Sequence, residues 1–162
     1  TYVGMIYDRQ KRHSESIEEY TQALKINPKS SVIYNNMGIS YFFKKEYDNA
    51  RESFEKALKI EPENSRICNN LGLVLSKLGR PAEAMSAFKS GGDTAGAYNN
   101  LGYLYMTEQK YQEALNAFEK AMDSKPNYYE KAQENKEIAE ASVLISQGSE
   151  DNNTQKAILN NQ

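Results

Sequence analysis

Residues 34–64 read YNNMGISYFFKKEYDNARESFEKALKIEPEN, and residues 98–127 repeat much of this pattern as YNNLGYLYMTEQKYQEALNAFEKAMDSKPN. The glycines of these two stretches, Gly38 and Gly102, have counterparts at Gly4 and Gly72, so the four lie 34, 34 and 30 residues apart. An aromatic residue follows each glycine by 16 positions, at Tyr20, Phe54, Phe88 and Phe118. A period in this range predicts a stack of similar helical units, that is, a solenoid.

Within each unit, the apolar residues recur at helical spacing. In the second unit they fall on one face of a first helix around Gly38 and on one face of a second helix around Phe54, and Pro62 ends the unit. The glycine lets two helix backbones approach, and we expect the small residue twelve positions later to be the other half of that contact. The predicted helices are 1–10, 14–26, 31–44, 47–60, 65–78, 81–89, 95–108 and 111–124.

These helices predict an array over residues 1–147, with repeats at about 1–30, 31–64, 65–94 and 95–127. A polar helix at about 128–147 lacks the glycine and fits the role of a terminal cap, with Ile138, Val143 and Leu144 among its packing residues. Residues 148–162 are predicted to be a polar, disordered tail. The chain begins at Thr1 inside the first repeat's pattern, so we expect a trimmed N terminus, and whether more repeats precede Thr1 stays open.

The two quoted stretches resemble the tetratricopeptide repeat family, and the first and third units match it less fully. The resemblance implies an all-α fold: an α-solenoid, coiled as a right-handed superhelix, of four helix pairs plus a C-terminal capping helix. It implies a scaffold for protein–protein interaction, because the family binds many different partners. It is nearly silent on which partner this chain has.

On each first helix, positions that face away from the glycine side are expected to line a concave groove. At two of these positions stand paired asparagines, whose amides offer both a donor and an acceptor to a peptide backbone. Superhelical members of the family, such as those of O-GlcNAc transferase type, use asparagines at the position of Asn36, Asn70 and Asn100. The alternative is that the asparagines contact only water or neighbouring helices. The candidate peptide-binding residues are Asn35, Asn36, Arg66, Asn69, Asn70, Asn99, Asn100, Ile39, Phe42, Leu73, Tyr103 and Met106.

The third unit is four residues shorter than the others, with Lys89–Thr94 reading KSGGDT in place of the missing helical turn. Paired glycines disfavour a helix, so the second helix is expected to stop near Ser90. One interpretation is a harmless deletion in a surface connection. The other is a local change in the superhelical step that reshapes the groove.

Composition argues against several functions. The net charge is −2 without a basic stripe, which gives no support for nucleic-acid binding. No long apolar run predicts a membrane span. The single cysteine, Cys68, and the single histidine, His13, occupy packing positions, and no phosphate loop or metal-ligand spacing is present. We therefore expect no catalytic residues, no metal and no cofactor, and the chain is predicted not to be an enzyme.

Two functional hypotheses remain. In the first, the groove binds an extended or helical segment of a partner protein. In the second, the repeats are a structural element within a larger complex and stack on other copies of the chain, as a homo-oligomer, or on further repeats of the same chain. The shortened unit and the cap also resemble bacterial pilus-assembly tetratricopeptide proteins of the Tad/Flp type, which implies a pilus or secretion assembly. The sequence leaves the location open between the cytoplasm and the bacterial envelope or periplasm.

Overall fold

The computed structural model of the chain describes residues 1–92, 94–124 and 129–159. Every regular element in these residues is an α-helix, and the helices form two compact units, Thr1–Asp93 and Thr94–Gln162. The first unit contains α1 (Tyr2–Arg9), α2 (His13–Ile26), α3 (Ser31–Phe43), α4 (Tyr47–Ile60), α5 (Ser65–Lys77) and α6 (Pro81–Ser90). The second contains α7 (Thr94–Thr107), α8 (Tyr111–Ser124) and α9 (Tyr129–Leu159).

The predicted fold class, an all-α array of helix pairs followed by a further helix, is confirmed. The bounds of α1 to α8 differ from the predicted ones by no more than one residue at either end. Ser30 and Asn64 cap α3 and α5, because each side chain accepts a hydrogen bond from the backbone N–H three residues later, that of Ile33 and of Ile67. Pro81 opens α6, where its missing N–H removes no helical hydrogen bond.

The last helix differs from the prediction in two respects. It continues to Leu159, so no helix end coincides with the predicted boundary at Gln147; Gly148 is followed by no proline, and a lone glycine costs a helix only about 1 kcal/mol. Its packing face is built from small residues, Ala132 and Ala139, which are fully buried. Ile138 and Leu144 were expected to pack but are 58% and 69% exposed, since they lie on other sides of the helix.

Each helix pair turns through one residue in the left-handed conformation. In the second pair, Lys45 has φ of 62°, and the N–H of Glu46 donates to the carbonyl of Tyr41 five residues earlier, as in a Schellman motif. The same backbone bond closes the other three turns of the described residues. Their left-handed residues are Lys11, Gly79 and Gln109.

The recurring glycines make room for the recurring aromatic rings. A Cβ added at Gly72 would lie 2.3 Å from the Phe88 ring, and one added at Gly38 would lie 2.7 Å from the Phe54 ring. Gly4 and Gly102 face Tyr20 and Phe118 in the same way. The expectation that the small residue at twelve positions is the nearest partner of the glycine is therefore corrected: the nearest partner is the ring at sixteen positions.

The core of the first unit lies between the second helix of one pair and the first helix of the next. Tyr20 packs with Ile33 and Met37 at the junction of α2 and α3. Phe54 packs with Ile67 and Val74 at the junction of α4 and α5. In the second unit, Ala114, Phe118 and Ala139 form the corresponding cluster between α8 and α9.

The third pair is shortened as predicted, since α6 has 10 residues where α4 has 14. Gly92 has φ of 90°, a left-handed conformation that glycine adopts without strain. Ser65 at the start of α5 donates a hydrogen bond of 2.7 Å to the carbonyl of Gly91, which ties the end of α6 to α5. Whether the missing turn changes binding stays a hypothesis.

We expect Gly72→Ala to lower the free energy of unfolding by about 1–3 kcal/mol, because the new methyl group overlaps the buried Phe88 ring. Alanine in place of glycine also favours the helix by about 1 kcal/mol. The sign of the change in the free energy of unfolding therefore shows whether the overlap with the ring or the helix propensity dominates. Urea denaturation followed by circular dichroism measures the change. Ser86→Ala, at an exposed position of α6, is the control and is expected to be neutral or stabilising; equal behaviour of both variants would contradict the ring contact.

Candidate functional site

The first helices of the first unit, α1, α3 and α5, share a surface with three adjoining cavities. We call the residues of these helices that line the cavities the first-helix surface. The largest cavity, about 530 Å³, lies between the N-terminal turns of α3 and α5. Its lining residues are Ser31, Val32, Asn35, Asn36, Asn64, Ser65, Arg66 and Ile67.

The second cavity is apolar and lies between the C-terminal halves of α3 and α5. It measures about 200 Å³ and has the ring of Phe54 from α4 in its wall. Phe43 is 60% exposed, whereas Ile39 and Phe42 are half-buried and also pack against the core. The lining residues are Ile39, Phe42, Phe43, Phe54, Asn70 and Leu73.

The third cavity, also about 200 Å³, shares one lining residue with each of the other two. Asn36 lines both this cavity and the large one, and Ile39 lines both this cavity and the apolar one. Its other lining residues are Met5, Asp8, Arg9 and Tyr20. The structure therefore brings most of the candidate residues of the first unit onto one continuous surface, with amides at its centre and apolar side chains at one end.

Two of the candidate asparagines are buried between helices, which favours the alternative that they contact a neighbouring helix. Asn35 is 6% exposed, and its Oδ1 accepts a hydrogen bond of 2.9 Å from Nδ2 of Asn70 on the next first helix. Asn99 in the second unit is 9% exposed and accepts a bond of the same length from Asn135 of α9. The physical reason is that one member of each asparagine pair faces the neighbouring helix, so its amide oxygen is already occupied.

The remaining candidates differ in how far they reach solvent. Asn36, Asn69, Asn70 and Asn100 are half-buried, and Arg66 is exposed. Tyr103 of the second unit is 62% exposed. Met106 is half-buried and packs against the cluster of Ala114 and Phe118, and its role as a ligand contact stays a prediction.

A polar cluster around Asp8 lies below the third cavity and was not predicted. Asp8 Oδ1 accepts a bond of 2.7 Å from Ser40 and lies 3.0 Å from Nδ1 of His13, and its Oδ2 accepts a bond of 2.9 Å from the Tyr20 hydroxyl. The Ser40 hydroxyl also lies 3.2 Å from that of Ser16, where either oxygen can be the donor, and 3.1 Å from the carbonyl oxygen of Asn36. Burial first, and then the bond to Asp8, raise the pKa of Tyr20, so its hydroxyl keeps the proton that it donates.

The signal for this cluster is present in the repeat comparison. Ser16 stands where the other three units have alanine, Tyr20 where they have phenylalanine, and Ser40 where they have Ile6, Val74 and Leu104. Each of these differences between the repeats, taken alone, is a minor variation of the pattern. The predicted packing role of His13 is borne out by its ring, which stacks on Phe43 at 5.2 Å with an interplanar angle of 14°.

The described residues offer little for catalysis or metal binding. Residues 1–92, 94–124 and 129–159 contain no group of three or more His, Cys, Asp or Glu side chains placed to hold a metal ion. Over the same part of the chain, no helix combines the length and the apolar character needed to cross a membrane. Cys68 is buried, and that burial raises the pKa of its thiol, so the reactive thiolate is disfavoured.

Family models described as Tetratricopeptide repeat match residues 3–30, residues 31–64 and 95–128, and residues 53–85. Together the matched ranges take in more than two thirds of the 162 residues. The comparison with curated proteins gives no match.

Among solved structures, the chain is similar to PilW, described as a widely conserved type IV pilus biogenesis factor, with a TM-score of 0.62 and 26% identity over 86% of this chain and 68% of PilW. It is similar to YrrB, described as a tetratricopeptide repeat protein with an unusual peptide-binding site, with a TM-score of 0.57 and 25% identity over 85% of this chain and 73% of YrrB. A MamA protein of Desulfovibrio magneticus RS-1 has a TM-score of 0.64 and 19% identity over 93% of each chain, which shows the fold alone.

We expect Asn35→Ala to lower the free energy of unfolding by about 1–2 kcal/mol, because it leaves the Asn70 amide without its partner. A double-mutant cycle with Asn70→Ala, measured by urea denaturation, should give a coupling of about 0.5–1 kcal/mol. Asn69→Ala, on the same helix turn, is the control. Additive effects of Asn35→Ala and Asn70→Ala would contradict the assignment of this pair as an inter-helix bond.

Proposed function

The chain belongs to the tetratricopeptide repeat family, and from this membership we propose that it is a non-catalytic scaffold that binds a partner protein. The proposed ligand is an extended or helical segment of that partner, bound on the first-helix surface. The observation that carries the proposal is that the three cavities are neighbours, with Asn36 in the lining of two of them and Ile39 in the lining of two. Such a row of cavities suits a chain segment better than a compact small molecule.

The asparagine amides are suited to hold a peptide backbone. Nδ2 of Asn70 uses one N–H on Asn35, which leaves its second N–H and its amide oxygen for a ligand. The bond to Asn35 also holds the Asn70 amide in one orientation before any ligand arrives, which lowers the entropy lost on binding. Asn36 lines two of the cavities and supplies a second amide.

A relative supports a peptide as the ligand. YrrB, at 25% identity, is described as having a peptide-binding site, although an unusual one. In the second unit, Asn100 and the exposed Tyr103 are proposed as further contacts for the same kind of ligand.

A random-peptide display library selected on the intact chain tests this proposal. We expect the selected peptides to lose about tenfold or more in affinity for the variant Asn36→Ala/Asn70→Ala, because one hydrogen bond contributes about 1 kcal/mol. Fluorescence anisotropy gives the affinities, and circular dichroism checks that helicity is kept. The matched control is Asn49→Ala/Asn116→Ala, at exposed positions of α4 and α8. Selected peptides that bind the Asn36/Asn70 variant as well as the original chain would refute the proposed site.

A specific observation favours a second candidate function, self-assembly. Val3 and Ile6 on α1 are 47% and 52% exposed, whereas Met37 and Ser40, at the same repeat positions of α3, are 9% and 0% exposed. In α3, this face packs on α2 of the preceding pair. The corresponding face of α1 is uncovered. We propose that a second copy of the chain covers it. PilW, at 26% identity, is described as a pilus biogenesis factor, which supports a role in an envelope assembly.

Sedimentation equilibrium over a wide range of concentrations tests self-assembly. We expect the average mass of the original chain to rise with concentration, and the mass of Val3→Glu/Ile6→Glu to stay that of one chain, because the charges prevent burial of α1. Ile26→Glu, at a position of α2 that is 88% exposed, is the control and should associate like the original chain. A constant single-chain mass for the original protein would rule this candidate out.

A further inference from the structure

We propose that the segment bound on the first-helix surface is acidic and carries one bulky apolar side chain at one end of its acidic residues. This inference rests on the proposed function and specifies the chemistry of its ligand. It follows from three observations: which charged groups of the surface are already occupied, where the apolar cavity lies, and how the cavities are connected.

The cations of the first-helix surface are available to a ligand. Arg9 lines the third cavity and Arg66 lines the large one, and both are exposed. Within the described residues neither arginine forms an ion pair, and a guanidinium group offers five N–H donors suited to a carboxylate. Arg66 also lies in the first turn of α5, where the N–H ends of α3 and α5 give the large cavity a further positive potential.

Two carboxylates near this surface, Asp8 and Glu61, are by contrast satisfied by the protein itself. Asp8 already has His13, Ser40 and Tyr20 as partners. Glu61 stands behind the large cavity and accepts hydrogen bonds from Ser31 and from Nδ2 of Asn64. These bonds, that of Ser31 first, hold the pKa of Glu61 below its usual range, so this carboxylate stays ionised and bound to its own donors. Two exposed arginines without an ion-pair partner among the described residues, beside carboxylates held by the protein's own donors, favour an anionic ligand, although the whole chain has a net charge of −2.

The apolar cavity takes one large side chain. Ile39, Phe42 and Leu73 form its walls, and Asn70 at its rim is the amide proposed to hold the ligand's backbone. A volume of about 200 Å³ accommodates an aromatic or branched aliphatic side chain and leaves no room for several. Burial of such a side chain supplies affinity that exposed charge pairs alone do not.

The connection of the cavities sets the order of these features along the ligand. The apolar cavity adjoins the Arg9 cavity through Ile39, and the Arg9 cavity adjoins the Arg66 cavity through Asn36. The order proposed for the ligand is the one that runs from the apolar cavity across Ile39 to the Arg9 cavity and across Asn36 to the Arg66 cavity, so that the ligand meets the apolar cavity first and the two arginines after it. Its acidic residues therefore lie on one side of the apolar residue.

Fluorescein-labelled peptides of eight residues test this inference on the intact chain. The first is made in two versions, with one phenylalanine either N-terminal or C-terminal to a block of glutamates. The second replaces the glutamates by lysines, and the third replaces the phenylalanine by alanine. We expect the better of the two glutamate peptides to bind about tenfold more tightly than either replacement and to weaken as salt is raised from 50 to about 500 mM, because salt screens exposed charges.

Charge-reversal variants provide the second arm. Arg9→Glu/Arg66→Glu should weaken the glutamate peptide about tenfold and strengthen the lysine peptide. The control Lys25→Glu/Lys59→Glu changes the net charge by the same amount as the arginine variant, but on the second helices α2 and α4. It should leave the affinities of both peptides unchanged. Equal or tighter binding of the lysine peptide, or an unchanged affinity in the arginine variant, would overturn the inference.

The two proposals fail in different ways. If display-selected peptides depend on Asn36 and Asn70 but carry no excess of acidic residues, or if they bind while no glutamate peptide does, the site stands and its acidic specificity is wrong. If no peptide of either experiment depends on the first-helix surface, the proposed function itself is wrong.

Discussion

An aromatic ring pressed against a glycine backbone closes each helix pair, and the other packing depends on the spacing that this contact sets. Phe54, Phe88 and Phe118 are each no more than 1% exposed, and full burial of such a side chain stabilises a fold by about 1.5–3 kcal/mol. The ring occupies the space that a Cβ at the glycine would fill. The two helices therefore approach more closely than they could with any other residue at the glycine position. With that distance constant, the next pair stacks in the same way, and equivalent positions of successive first helices line up.

The alignment of first helices explains both the amide bonds and the first-helix surface. Because Asn35 and Asn70 occupy neighbouring positions of successive repeats, one amide turns towards the next helix while the other stays at the surface. The bond recurs between Asn99 and Asn135, although α9 has neither the glycine nor the aromatic ring. α9 therefore packs on α8 through a small residue, Ala139, whereas this bond ties α9 to α7.

The periodicity of glycines, aromatic residues and prolines was sufficient to predict eight helices within one residue, because local propensity and burial agree at these positions. It placed Asn36, Ile39, Phe42, Asn70 and Leu73 on one surface for the same reason. It did not predict that Asn35 is buried while Asn70 reaches the surface, since that difference depends on which amide faces the next helix. It also missed the Asp8 cluster, whose members lie up to 32 residues apart and come together only when α1, α2 and α3 pack.

The Asp8 cluster shows how the fold, and not the composition alone, sets the charge that the first-helix surface presents. Burying a serine, a tyrosine hydroxyl and a carboxylate costs free energy unless every group finds a partner, and here each does. Since any one of these polar groups would be left unpaired without the others, the set joins the first two helix pairs in one register. A carboxylate so engaged contributes little attraction to an incoming cation. Arg9 lines the same cavity as Asp8 and has no ion-pair partner among the described residues, so this acidic residue does not cancel the positive charge that the surface presents.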